Sequence, residues 1–516
     1  MYKIGVDVGG TNTDVVILDE NNELVSAIKT PTTEDVSSGI KKAIHDVLNE
    51  STIDAKEIKY AMLGTTQCTN AIVERKKLDR VGVIRLAYPA TGSVPPFTAW
   101  PEDIAELLDG RTANLHGGYE YTGQPISEFD ENEVRDLLAS WEDEIDSLAV
   151  IGVFSTVNND QEFAVECIAK KLYGEEFPVS KSSQIGSVGF LDRENSTILN
   201  ASLQTVMNSV TSGFRQAQED EGIENAEIFI CQNDGTLMAV DYAEEFPILT
   251  IACGPSNSIR GAAYLANKKN AITLDVGGTT SDLGVLVNSF PRQSSLAVSV
   301  GGVRTNFRMP DILSIGLGGG TIIHVDGDDV TVGPDSVGYK LLTQAKVFGG
   351  DTITATDIAV KLGRADIGDK ELVADIPQEI AEKANAQIKK MVEVSIDSMK
   401  TDVGDAEIVL VGGGAIIIPD DIEGVSKIHR YEYGSVANAI GASISQISGE
   451  FEQLYVYVDQ PREESIQDAT EKAIRSALDA GALQSSIEVA EVVEIPLAYA
   501  EGNANRVRVK VIGDMA

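Results

Sequence analysis

From Tyr2 onward the chain alternates runs of β-branched residues with short glycine- or asparagine-rich breaks. "YKIGVDV" reads as a buried strand, "GGTNT" as a break and "DVVIL" as a second strand. Asn21-Asn22 then supplies a turn, and "ELVSAIKT" returns as a third strand. The first glycines therefore belong to the turn of a β-hairpin. They do not head a helix, and the G-x-G-x-x-G spacing of a dinucleotide site is absent. Helical periodicity begins only at "EDVSSGIKKAIHDVLNE", with Val36, Ile40, Ala43, Ile44, Val47 and Leu48 on one face. "IKYAMLGTT" follows as another buried strand.

The same reading carries along the chain. Ala87 to Tyr121, rich in Pro, Gly and aromatics, reads as an irregular insertion. "SLAVIGVFSTVNND" is a strand running into a polar loop, and "QEFAVECIAKKLYGEEF" is a helix. "RENSTILNASLQTVMNSVTSGFRQAQEDEG" has the apolar stripe of one long helix. Later segments predict a hairpin with its tip at Gly327-Asp328, a short helix in "TATDIAVKLG" and a long one in "PQEIAEKANAQIKKMVEVSIDSMK". "AEIVLVGGGAIIIP" is a buried strand ending in three glycines, and "GSVANAIGASISQIS" is a small-residue helix suited to close packing. From about Glu450 the character changes to a small α+β region.

One pattern occurs twice. "IGVDVGGTNTDVVIL" (Ile4 to Leu18) is echoed by "ITLDVGGTTSDLGVL" (Ile272 to Leu286). Asp7 matches Asp275, Gly9-Gly10 match Gly277-Gly278, Thr11 matches Thr279, and Asp14 matches Asp282. Two copies of a hairpin opened by a glycine turn predict two related α/β lobes. A length of 516 residues is in keeping with on the order of two to four domains.

Composition narrows the classes. The chain is 43% hydrophobic and 23% charged, as globular proteins are. No apolar run reaches the roughly 20 residues a membrane span needs, and the N-terminus lacks the layout of a signal peptide. The expectation is a cytoplasmic protein. Its 80 acidic against 41 basic residues give a formal net charge of −39, which repels nucleic acid backbones and anionic membranes. A phosphate site on such a chain needs metal cations or backbone N–H groups. Cys68, Cys167, Cys231 and Cys253 form no CxxC pair and read as buried thiols. His45, His116, His324 and His429 are equally dispersed.

Turns such as "GGTNT" carry little side-chain bulk, so their N–H groups can approach phosphate oxygens. An aspartate at the preceding strand end can hold Mg²⁺, which takes one or two carboxylates plus water and phosphate. The alternative for Asp7 and Asp275 is a carboxylate that caps its turn. Asp14 and Asp282 could equally hydrogen-bond their own hairpins.

The chain resembles the two-lobed ATPase fold shared by sugar kinases, acetate kinase, actin and the actin-like heat-shock chaperones. "DVGGTNTD" resembles its first phosphate motif, "DVGGTTSD" its second and "VLVGGGA" its adenosine motif. "GTTQCTNAIVERK", "RENSTILNASL", "GPSNSIRGAAYLA" and "SIGLGGGTI…VGPDSVG" are similar to the hydantoinase A/5-oxoprolinase family. The resemblance runs to about residue 445. It implies a duplicated two-lobe α/β fold with an insertion and a small C-terminal α+β appendage, divided at residues 1–185, 186–449 and 450–516. It also implies ATP-dependent opening of a cyclic amide such as a hydantoin, 5-oxoproline or a lactam. Some relatives use ATP to activate substrates for carboxylation.

On this resemblance Asp7 and Asp275 coordinate Mg²⁺ and phosphate, or orient a nucleophile. Gly9, Gly10, Thr11, Asn12, Thr13, Gly277, Gly278, Thr279 and Thr280 cradle the phosphates of ATP. Gly318, Gly319 and Gly320 approach the nucleotide or simply form a hairpin turn, and Gly412, Gly413 and Gly414 pass beneath the adenosine. Thr65, Thr66 and Asn70 lie near the substrate, with a helix N-cap at Thr66 or Thr69 as the alternative. Arg193, beside Glu194, faces the cleft or serves a helix start. Two departures stand out: "CGPSNS" (Cys253 to Ser258) where the family has "SGPAGG", and "VNNDQE" (Val157 to Glu162) where it has "NP-x-HE". No hydantoinase B-like half is seen in the sequence, so the expectation is either such a partner subunit or a reduced or altered reaction; a homo-oligomer is compatible. The alternatives are a small-molecule kinase and a nucleotide-gated regulatory ATPase.

Overall fold

The computed structural model describes the chain apart from residues 10–11, 32–35, 109, 187, 295–297, 308, 402, 498–501 and 516, and apart from the side chain of Val36. Gly10 and Thr11 thus lie outside the described residues.

Both echoed phrases fold as the pattern predicts. Strands Tyr2–Val8 and Asn12–Leu18 pair antiparallel, and Leu24–Pro31 adds the third strand. On its other side Tyr2–Val8 pairs in parallel with Ile58–Thr65. The second copy repeats this. Ala271–Val276 and Ser281–Val287 form the hairpin, and Ala406–Val411 lies parallel to the first of them. The registers match as well, Asp7 opposite Asp14 and Asp275 opposite Asp282. The central strands of each sheet are near-continuous apolar runs because both of their faces are covered, whereas the edge strand Leu24–Pro31 is half exposed. Helix Val36–Ser51 covers one face of the first, burying Ile40, Ala43, Ile44 and Val47. Helix Gln378–Met399 covers the second, burying Ile380, Ala384, Ile388, Val392 and Ile396.

Among the described residues the first sheet has nine strands, running Glu488–Pro496, Ala504–Gly513, Ile447–Val456, Leu237–Ala239, Glu227–Cys231, Ile58–Thr65, Tyr2–Val8, Asn12–Leu18 and Leu24–Pro31. The C-terminal α+β region therefore joins the first lobe's sheet through Ile447 beside Leu237. Helix Arg462–Asp479 covers it with Ala469, Ala473 and Ala477. The fit is close: a Cβ at Gly449 would lie 2.3 Å from Ala473 O. Among the described residues no helix is long and apolar enough to cross a membrane.

Three expectations are corrected. Ala87 to Tyr121 is not wholly irregular: helix Glu102–Leu107 and strand Arg111–His116 lie within it, and the strand extends a four-stranded parallel sheet with Val81–Tyr88, Ser147–Gly152 and Val179–Lys181. That edge strand buries only Leu115, so it carries little apolar signal. The single long helix is two, Phe190–Ser202 and Gln204–Asp220. At the break Asn200 Nδ2 donates to Glu245 O at 2.9 Å, a tertiary tie that periodicity does not register. Cys167 is exposed, while Cys68, Cys231 and Cys253 are buried as expected.

Two short-residue helices hold the lobes together. Cys253–Ala266 crosses Ala437–Ser443 so closely that a Cβ at Gly441 would lie 1.8 Å from Asn257 O, and one at Gly261 1.9 Å from Ala437 O. Backbone cannot yield as a side-chain tip can, and overpacking of this kind costs ~1–3 kcal/mol. Gly441→Ala is expected to lower the thermal unfolding midpoint clearly. Gly92→Ala, whose Cβ would meet its nearest atom at an ordinary 3.6 Å, is expected to leave it unchanged.

Candidate active site

The two glycine turns are built alike. Gly9 N–H donates to Asn12 O at 3.0 Å, and Gly277 N–H to Thr280 O at 2.9 Å. A Cβ at Gly9 or Gly277 would press on that same carbonyl, at 3.1 and 3.2 Å. Thr279 and Thr280 are exposed on the second turn, Asn12 is half-buried and Thr13 is buried.

Each turn follows an aspartate, Asp7 buried and Asp275 half-buried, and the two are brought together. Asn438, on the Ala437–Ser443 helix, lies beside both carboxyls and favours the ionised form of Asp7 and of Asp275. Asn257 Nδ2 donates to Asp7 Oδ1 at 3.3 Å. Ser258, the next residue, favours the ionised form of Asp275 without closing a well-formed hydrogen bond among the described residues. Burial, and then the charge of Asp14, push the Asp7 carboxyl up to about 7, against Asn257, Asn438 and Lys29. Burial also raises Asp275, and it lifts Asp282 to about 6 against the hydroxyl of Ser314. Asp14 is raised by burial despite Lys29, whose Nζ sits 2.7 Å away. Asp14 and Asp282 thus have partners on neighbouring strands, Lys29 and Ser314.

Lys29 was not singled out by motif, yet it is the cation of this cluster. It donates to Ser435 O at 3.0 Å, and its Cε lies 3.8 Å from where a Gly413 Cβ would stand. It therefore ties the first hairpin to the Gly412–Gly414 turn. Counting outward from Asn21-Asn22 puts Lys29 opposite Asp14, as the register confirms. Asn257, Ser258 and Asn438 had no such signal, because their positions depend on the helix crossing.

The other predicted residues divide. Gly412 has φ +88, and a Cβ there would lie 2.3 Å from Asp275 Oδ1. Gly414 N–H donates to Val276 O at 2.7 Å. Gly318, Gly319 and Gly320 buttress the second turn: Gly319 N–H and Gly320 N–H donate to Gly277 O and Gly278 O at 3.0 and 2.7 Å, and Gly318 N–H donates to Thr321 Oγ1 at 2.7 Å. Thr65 Oγ1 accepts from Gln67 N–H at 3.2 Å at the start of helix Gln67–Glu74. Thr66 Oγ1 donates to Val8 O at 3.3 Å and accepts from Asn70 Nδ2 at 3.3 Å, so this trio packs against the end of the Asp7 strand.

Arg193 does not join the aspartates by any bond among the described residues. Its buried guanidinium donates to Gly152 O at 2.7 Å, Val188 O at 3.0 Å and Ser182 Oγ at 3.1 Å. Burial lowers its pKa to about 10, against Glu162 and Glu194. Glu162, the last residue of "VNNDQE", accepts from Gly152 N–H, Ser182 Oγ and Ser183 N–H at 2.9, 2.6 and 2.9 Å. That altered loop and Arg193 form one buried network at the end of the parallel sheet. Arg193 also lies inside helix Phe190–Ser202 rather than ahead of it.

No cluster of three or more His, Cys, Asp or Glu among the described residues could hold a metal alone. Mg²⁺ carried by a nucleotide needs fewer protein ligands. Asp7 and Asp275 suit it: both are carboxylates raised by burial, and the nearby Lys29 pairs with Asp14 instead.

A carboxyl whose pKa is higher folded than unfolded favours folding while protonated, below about pH 4, and loses that contribution as pH rises through the folded value. For Asp7 that value is about 7. Asp7→Asn is neutral throughout. In nucleotide-free protein its melting temperature relative to the unmodified chain is expected to rise between pH 5 and pH 8. A pH-independent difference would contradict the assignment.

Residues 3–173 match the hydantoinase/oxoprolinase N-terminal region and residues 193–369 the hydantoinase/oxoprolinase model. The acetophenone carboxylase gamma subunit of Aromatoleum aromaticum is 26% identical over 70% of this chain and 53% of its own length. The caprolactamase subunit alpha of Pseudomonas jessenii is 25% identical over 70% of this chain and 54% of its own. The chain thus spans little more than half the length of these two relatives. The crystal structure of the ATP-dependent caprolactamase from Pseudomonas jessenii superposes with a TM-score of 0.77 at 19% identity, covering 100% of this chain and 88% of that one. Nucleotide-free acetone carboxylase gives 0.69 at 16% identity, covering 99% and 88%. The fold is the duplicated two-lobed α/β fold, and the chain belongs to the hydantoinase/oxoprolinase family.

Proposed function

We propose that the chain uses Mg–ATP to activate a cyclic amide for hydrolysis, as the nucleotide-binding subunit of a larger enzyme. The observation that carries this is the convergence of two equivalent hairpins on one pair of aspartates, buried Asp7 and half-buried Asp275. Two named relatives, an ATP-dependent caprolactamase and an ATP-dependent acetone carboxylase, act on carbonyl compounds, and several are subunits by name.

An amide carbon is a poor electrophile because nitrogen donates into the carbonyl, and transfer of the γ-phosphoryl group to the amide oxygen removes that obstacle. The chain's share is positioning and charge neutralisation. Asp7 and Asp275 would hold the Mg²⁺ of the nucleotide. The N–H groups and hydroxyls of Gly9 to Thr13 and Gly277 to Thr280 would cradle the phosphates, with Gly10 and Thr11 included on sequence grounds. Gly318 to Gly320 would hold the second turn in shape. Gly412 to Gly414 would lie under the adenosine, and Thr65, Thr66 and Asn70 would approach the amide.

The test is phosphate release over a panel of hydantoin, caprolactam and 5-oxoproline, with and without a co-purified partner subunit. One cyclic amide is expected to stimulate release. Asp7→Ala and Asp275→Ala are each expected to cut the stimulated rate by about 10²–10³-fold. Phosphate retained on the small molecule would indicate a kinase, and unchanged turnover in both variants would remove the site.

A further inference from the structure

A cavity of about 530 Å³ opens between helix Arg462–Asp479 of the C-terminal region and helix Val240–Glu245. Its size falls among small-molecule sites, roughly 300–1,000 Å³. None of the residues assigned to the nucleotide lines it. Tyr242 and Phe246 give it an apolar wall, their ring centroids 4.7 Å apart. Tyr242 Oη meets Ser476 Oγ at 3.3 Å, which ties the two helices together across the cavity.

The charges on this wall are incompletely neutralised. Arg475 and Asp479 lie one turn apart on the same helix, both exposed, and neither closes a hydrogen bond or ion pair among the described residues. Residues so spaced stand about 5–6 Å apart at Cβ, yet these two do not pair. Arg475 reaches Asp468 only through its field, and Asp468 is already held by Lys472 and Tyr455. Lys472, the other cation lining the cavity, is thereby spent, and it also donates to Gln453 Oε1 at 3.0 Å. Asp479 ends its helix, where the backbone dipole is already negative, and the last turn holds no basic residue. Glu245 faces it from the other helix. Partial burial raises the Glu245 carboxyl, against Lys181, and Glu166 and Asp479 add to the rise. Lys181 stands 3.8 Å from Glu245 but 2.8 Å from Glu166. Two carboxylates and a helix C-terminus therefore gather at one end of the wall, and an unpaired guanidinium stands one turn away.

Such a wall suits a molecule with a cation at one end, an anion at the other and an apolar body to lie against Tyr242 and Phe246. Ammonium donates to carboxylates, and a guanidinium fork matches a carboxylate. Opening a lactam ring with water yields such a molecule, an ammonium and a carboxylate joined by methylenes.

We infer that this cavity binds an ω-amino acid, its ammonium at Asp479 and Glu245 and its carboxylate on Arg475. The inference rests on the proposed reaction only for the ligand's origin, as the ring-opened product.

Isothermal titration of the nucleotide-free chain with 4-aminobutanoate, 5-aminopentanoate and 6-aminohexanoate tests it. Saturable binding of at least one is expected. The alkanoate and the alkylamine of the same length are each expected to bind at least about fivefold more weakly. Arg475→Gln and Asp479→Asn are each expected to weaken binding at least about fivefold. Their melting temperatures should stay close to that of the unmodified chain, since both side chains are exposed. No saturable binding, single-ended analogues that bind as tightly, or undiminished affinity in either folded variant overturns the inference. No nucleotide is present, so a failure here leaves the proposed reaction standing. A chain that binds the zwitterion yet releases no phosphate with any cyclic amide counts against the reaction alone.

Discussion

The rest of this structure is arranged around the burial of like charges. Asp7 and Asp275 lie near the ends of central strands of two sheets, Asp7 buried and Asp275 half-buried. Asp14 adds its charge to Asp7, and the carboxyl of Asp7 is held near 7. Such carboxylates persist only where they are paired, hydrogen-bonded or reserved for a cation. Here the partial compensation comes from Lys29, from the adjacent Asn257 and Ser258, and from Asn438, three separate stretches of chain. The helix crossing at Gly261 and Gly441 brings Asn257 and Asn438 to the aspartates. On the proposed reading, the incomplete compensation leaves the carboxylates for the cation of an incoming metal–phosphate group.

The same logic explains the distribution of glycine. Gly412 lies against Asp275, Gly64 against Asp7, and Gly318 beneath Gly278 and Thr279. Each keeps backbone where a side chain would displace a carboxylate or deform a turn. The glycine phrases that look alike in sequence thus do different work. Those after Asp7 and Asp275 form the open turns, Gly412 abuts Asp275 while Gly414 abuts Val276 and Gly277, and Gly318 to Gly320 spend their N–H groups on holding one turn.

The hairpins, their equivalence and the lobes' parallel strands were legible because β-branched runs and the doubled D-V-G-G-T phrase are local signals. Lys29 was legible in principle from register alone. Asn257, Ser258 and Asn438 were not, since their meeting with the aspartates depends on two helices far apart in sequence. Arg193 shows the opposite failure: a buried arginine in a family motif suggested substrate, whereas its guanidinium completes a network with Glu162, Ser182 and Gly152. The C-terminal strands changed character in sequence yet continue the first sheet, because pairing with Leu237–Ala239 leaves no mark in periodicity.

The central claim is that Asp7 and Asp275 together await the cation of a nucleotide. Calorimetric titration with a non-hydrolysable ATP analogue at pH 8, with and without Mg²⁺, tests it most directly. The account predicts binding that weakens by at least about tenfold when Mg²⁺ is withheld, and a Mg²⁺ effect largely lost in both Asp7→Asn and Asp275→Asn. Equal affinity with and without Mg²⁺, or an undiminished Mg²⁺ effect in both variants, would contradict it.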